Sequence, residues 1–102
     1  MKKRMLFIYN PKAGKALIRN KLADILDIFA KAEYEITIHP TQRAGEATQV
    51  IAQGEDEYDL LVCSGGDGTL KEVVSGVMKR ELHIPIGYIP AGSTNDFAQS
   101  YK

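Results

Sequence analysis

At 102 residues and 11.3 kDa the chain can build one hydrophobic core and is too short for two. Its 44% hydrophobic and 25% charged residues are those of a globular domain, and 13 Lys plus Arg balance 13 Asp plus Glu, which excludes the bulk positive field that draws a domain onto nucleic acid. Cys63 is the single cysteine, so an internal disulfide and a multi-cysteine metal centre are excluded, and no apolar run approaches the about twenty residues of a membrane span.

Lys2, Lys3 and Arg4 precede an apolar stretch that stops at Asn10, too short for a signal-peptide core, and the chain reads as cytoplasmic. Met5-Leu-Phe-Ile-Tyr9 is a continuously apolar strand, the pattern of a strand covered on both faces. It runs into Asn10-Pro11-Lys12-Ala13-Gly14-Lys15, where Pro11 fixes a turn, Gly14 permits close approach, and Asn10, Lys12 and Lys15 offer an amide and two cations. A Pro-Gly turn carrying solvated lysines would also account for it. From Leu17 to Ala32, Ile18, Leu22, Ile25, Leu26 and Phe29 recur at three- and four-residue spacing, an amphipathic helix.

Tyr34 to His39 is a second strand, and its alternation of Ile36 and Ile38 with Glu35, Thr37 and His39 predicts a less central position. Thr41 and the turn Ala44-Gly45-Glu46-Ala47 follow it as weaker site candidates; each alone reads as turn and cap. A short helix over Gly45 to Gln53 turns Ala47, Val50 and Ile51 inward, and Asp59 to Ser64 is a third strand, again continuously apolar.

That strand opens directly into Gly65-Gly66-Asp67-Gly68-Thr69-Leu70, with three glycines in four residues ahead of a helix. Glycine lets backbone N–H groups converge and a ligand approach the main chain, and a helix start adds unpaired donors and partial positive charge. This is a way to hold phosphate without a basic residue, and Asp67 is placed to orient a magnesium ion or its waters. A tight turn capped by Thr69 is the bland alternative. Gly14-Lys15 is not a Walker A loop, and Lys71 stands where a dinucleotide fingerprint needs its third glycine.

Leu70, Val73, Val74 and Val77 form the next helix stripe, with Gly76 permitting close packing. Pro85 to Ile89 is a fourth strand. Pro90-Ala91-Gly92-Ser93-Thr94-Asn95-Asp96-Phe97-Ala98 then repeats the strand-to-helix pattern, with Ser93 or Thr94 as cap, Asp96 suiting the dipole, and a helix over 94–101. Asn95 is not explained by capping. His39 and His83 lack metal-site partners, and Cys63 reads as a buried hydrophobe. The alternation specifies a mainly parallel three-layer α/β/α sheet of Rossmann type, with all four polar strand ends converging on one crevice.

Asn-Pro-x-x-Gly at 10–14, Thr-x-x-x-Gly-Glu-Ala at 41–47, Gly-Gly-Asp-Gly-Thr at 65–69 with Glu72-Val73, and Gly-Ser-x-Asn-Asp-Phe-Ala at 92–98 resemble, in order, the diacylglycerol kinase catalytic domain family. Gly-Gly-Asp-Gly-Thr alone is shared with NAD kinases; the first and last motifs narrow the resemblance. It implies an NAD kinase/diacylglycerol kinase-like N-terminal fold and an ATP-dependent lipid kinase that moves the γ-phosphoryl group to a lipid hydroxyl. It further implies that residues 1–102 form the nucleotide-binding lobe, with a β-rich domain elsewhere supplying the catalytic base; none is assigned in this chain. Implied nucleotide contacts are Asn10, Pro11, Lys12, Ala13, Gly14, Thr41, Gly65, Gly66, Asp67, Gly68, Thr69, Leu70, Lys71, Ser93, Thr94 and Asn95, with Asp67 and Asp96 supporting magnesium or the polar organisation of the site, Asp67 alone as an indirect metal residue. Implied partners are ATP, Mg2+ and a lipid acceptor, and a homodimer and transient peripheral contact at the inner face of the membrane are compatible with it. Lys71 and Ser75 stand where bacterial members often carry asparagine, and Gln99 where arginine is common. An NAD kinase-like lobe and a non-enzymatic nucleotide-binding module are the alternatives.

Overall fold

The computed structural model describes residues 2–12, 17–54 and 57–90. They form β1 (Lys3–Tyr9), α1 (Leu17–Lys31), β2 (Tyr34–Pro40), α2 (Glu46–Gln53), β3 (Leu60–Gly65), α3 (Asp67–Lys79) and β4 (Ile86–Pro90). The predicted helix over 94–101 lies outside the described residues. All strand pairings are parallel, in the order β2-β1-β3-β4, so the sequence expectation of a mainly parallel sheet is met by an entirely parallel one among these four strands.

Apolar residues on both faces of β1 and β3 require a layer on each side. Met5, Phe7 and Val62 point to one face, where Leu22, Ile25 and Phe29 of α1 pack on them. Leu6, Ile8, Leu61 and Cys63 point to the other, against Ala47 and Ile51 of α2 and Val73 and Val77 of α3. Burying each such aliphatic side chain contributes about 1.5–3 kcal/mol. The Ile18 side chain lies outside the described ones.

Central and edge positions follow the sequence pattern. Phe7 of β1 sits opposite Ile38 on one side and Val62 on the other, whereas β2 pairs with β1 alone and leaves Ile38 40% exposed. The α3 stripe needs one correction. Val73 and Val77 are buried and Leu70 is half-buried, but Val74, one position off the inward face, is 38% exposed.

Gly76 sets the distance between α2 and α3. A Cβ there would lie 2.8 Å from the Cβ of Ile51 and 3.1 Å from the carbonyl oxygen of Thr48, so only a bare backbone permits this approach.

Candidate functional site

In a parallel sheet, the loops leaving the carboxyl ends of adjacent strands are neighbours. Here hydrogen bonds tie them together. The Asn10 N–H donates to the Ser64 carbonyl at 3.0 Å, fastening the β1 loop to the end of β3. The Thr41 N–H and hydroxyl both donate to the Tyr9 carbonyl, at 2.8 and 3.3 Å, fastening the β2 loop to the end of β1. Asn10 also accepts the Lys12 N–H on its amide oxygen at 2.9 Å, an Asx turn that folds the chain back.

At the end of β3 the chain enters α3 without a side-chain cap. Gly66 is the capping residue, and the Thr69 N–H bonds its carbonyl at 3.1 Å. Thr69 is therefore a buried member of the first helical turn and does not cap it. The first N–H groups of a helix have no intrahelical partner, so α3 presents donors and the positive end of its dipole at this point. A Cβ at Gly66 or Gly68 would meet nothing within 4 Å: both face open space. The Tyr88 hydroxyl donates to the Gly65 carbonyl at 2.9 Å and holds the turn against β4. Burial, and then the nearby Asp67 carboxylate, push the Tyr88 phenol above its ordinary pKa, so it stays a donor.

These loops enclose a cleft of about 490 Å³ lined by Asn10 and Lys12, by Thr41 through Ala44, and by Gly66, Gly68, Thr69 and Glu72. Three of the four loops expected to converge are thus brought together. The remainder of the fourth, with Ser93, Thr94, Asn95 and Asp96, lies outside the described residues, as do Ala13, Gly14 and Lys15. Asp67 and Lys71 are exposed on α3 beside the lining, Pro11 sits in the β1 turn, and Gly65 is buried behind it. Leu70 packs on the α2–α3 core cluster and does not line the cleft, because its position on α3 turns it inward. A smaller cavity of about 190 Å³ between α2 and the sheet is mainly aliphatic, with Leu6, Val50, Ile51, Leu61, Leu82 and Ile84 in its wall, and lacks the converging backbone donors of the cleft.

Several residues of the site escaped the sequence reading. Gln42 and Arg43 line the cleft beside Thr41 and Ala44, and Glu72 lines it as well. His39 has a hydrogen-bonding partner that is no part of a metal site: its Nε2 lies 2.6 Å from Oε2 of Glu46. Their seven-residue separation signals nothing until strand and helix fold back across the turn. The Gln42 N–H, which donates to Glu46, and then His39 hold the Glu46 carboxyl below the usual carboxylate range. Cys63 is buried as expected, and desolvation pushes its thiol up to about 12.

A four-stranded parallel sheet whose glycine turn opens an uncapped helix onto a polar cleft at the carboxyl ends of the strands defines a Rossmann-like α/β class of domain. The diacylglycerol kinase catalytic domain profile matches residues 4–102. A diacylglycerol kinase of Staphylococcus epidermidis is 44% identical over 101 residues, covering 98% of this chain and 32% of that protein. One from Bacillus subtilis is 41% identical over 99 residues, covering 96% and 33%. The crystal structure of a diacylglycerol kinase from Bacillus anthracis superposes with a TM-score of 0.77 at 32% identity, covering 96% of this chain and 36% of the other. The chain belongs to the diacylglycerol kinase catalytic domain family and spans about a third of the length of the curated relatives it matches.

Proposed function

We propose that the chain is the ATP-binding lobe of a lipid kinase that transfers the γ-phosphoryl group of ATP to a lipid hydroxyl, with diacylglycerol the first acceptor to test. The observation that carries this reading is the pairing of bare glycines with an uncapped helix: Gly66 and Gly68 face the cleft at the start of α3. Phosphoryl transfer asks for positioning and charge neutralisation more than for covalent chemistry by the protein. The α3 N-terminus and the main chain at Gly66 and Gly68 would take phosphate oxygens, and Lys12 and Arg43, which also line the cleft, would neutralise charge. Asn10 and Thr41 would order the rest of the nucleotide.

Among the described residues no three of His, Cys, Asp and Glu stand together as a metal site. Mg2+ bound through substrate phosphates keeps several of its waters, and Asp67, exposed between the two glycines, would orient them. When bound, the ion neutralises phosphate charge. Membership of the family supports a lipid acceptor.

The test is phosphate transfer from γ-labelled ATP to diacylglycerol by the complete polypeptide. Label should enter the lipid, and Gly66→Val should abolish transfer with an unchanged circular dichroism spectrum, because Gly66 lines the cleft and a Cβ there meets nothing within 4 Å. Label in NAD and none in lipid would overturn the proposal, as would full activity of a folded Gly66→Val variant.

A further inference from the structure

Glu46 opens α2, and an acidic residue in a first turn is accounted for by the helix dipole alone. The dipole does not account for its two hydrogen-bonding contacts, made beside a 4.0 Å approach of Arg43 Nε to Oε1. One carboxylate oxygen accepts the Gln42 N–H at 2.9 Å, and the other lies 2.6 Å from the His39 ring at the far end of the same loop. The Glu46 side chain is 14% exposed and does not line the cleft, whereas the four residues it spans, Thr41 to Ala44, all do. Gly45, with φ of 84°, turns the chain sharply into α2, a conformation that favours glycine and lets Glu46 reach back behind the loop. A second carboxylate, Glu72 of α3, accepts the Ala47 N–H at 3.3 Å, while its main-chain carbonyl accepts the Thr48 hydroxyl at 2.7 Å. One wall of the cleft is therefore clamped from behind by Glu46 and tied through Glu72 to the helix that carries the glycine turn.

We infer that Glu46 is a positioning residue for nucleotide binding: by joining Gln42 to His39 it fixes Thr41 to Ala44 against the cleft, and so sets the affinity for ATP without touching it. The inference rests on the reading of the cleft as the ATP site. A bond to a charged group that orders a binding wall is worth about tenfold in affinity.

The experiment is steady-state kinetics of the complete polypeptide with ATP and diacylglycerol varied independently, alongside calorimetric titration with magnesium-ATP. Glu46→Ala should raise KM for ATP about tenfold, leaving KM for diacylglycerol unchanged and kcat within about threefold. Glu46→Gln, which can still accept from Gln42 and can donate to the ring, should recover most of that loss. His39→Ala removes one of the two contacts and should raise KM for ATP about threefold, which keeps the test alive if Glu46→Ala does not fold. An unchanged KM for ATP, a parallel loss in both KM values and kcat, or no rescue by Glu46→Gln would overturn the inference. Titration separates the two levels: if wild type binds ATP and Gly66→Val does not, while Glu46→Ala binds like wild type, the ATP site stands and the role of Glu46 falls. If wild type binds no ATP, both fall.

Discussion

Gly65 and Thr69 stand so close that a Cβ on the glycine would lie 2.8 Å from the Cβ of the threonine. The two residues lock the end of β3 to the first turn of α3, and both are buried. Gly65→Ala should therefore destabilise the protein by about 1–3 kcal/mol through overpacking. Gly66→Ala, facing open space one residue later, carries no packing cost and should lose only about 0.5–1 kcal/mol, the disadvantage of alanine against glycine at a helix N-cap. Urea unfolding of the two variants checks this; equal losses would contradict the distinction between a structural glycine and a site glycine.

Gly68 should show stability and function moving in opposite directions. It is the second residue of α3 with free space around its Cα, so Gly68→Ala should raise stability by up to about 0.5–1 kcal/mol through helix propensity. The new methyl faces the cleft and should weaken ATP binding. Thermal unfolding and ATP titration of one preparation read both.

At Gly76 propensity and packing conflict, and packing should win. Alanine would favour the helix but would drive a methyl into Ile51 and the Thr48 carbonyl, forcing α2 and α3 apart. Gly76→Ala should cost about 1–3 kcal/mol, measured by chemical denaturation. A gain in stability would mean that the two helices separate at little cost.

Much of this was legible in the chain because the signals are local. The unbroken apolar runs of β1 and β3 placed them at the centre, the alternation of β2 placed it at the edge, and Gly76 stood out as an interruption of a helix stripe. The glycine turn was legible for the same reason: a strand, three glycines and a helix follow one another without a gap. What escaped was what depends on three-dimensional closure. Glu46 and His39 read as a cap residue and a bland imidazole, because their contact exists only once the chain reverses at Gly45.

The Cys63 thiol should be inert in the native state. Burial pushes it up to about 12, so at neutral pH it carries almost no thiolate, the reactive form. Labelling with a thiol reagent should track unfolding by denaturant; rapid labelling of the folded protein would contradict its burial.

Glu46 should link stability to acid. Its native pKa is lowered, chiefly by the Gln42 N–H and then by His39, so its contribution is fully present above the unfolded carboxyl value and is lost as pH falls through the lowered native value. Thermal midpoints of wild type and Glu46→Gln should therefore converge on acidification from about pH 7 to about pH 3. A constant difference across that range would show that the charge of Glu46 contributes nothing.

Calorimetric titration of the complete polypeptide with magnesium-ATP, wild type beside Gly66→Val, bears most directly on the glycine turn as the phosphate site. Saturable binding by wild type and its loss in a variant of unchanged fold is the expected result. Equal affinity of the two proteins would contradict it.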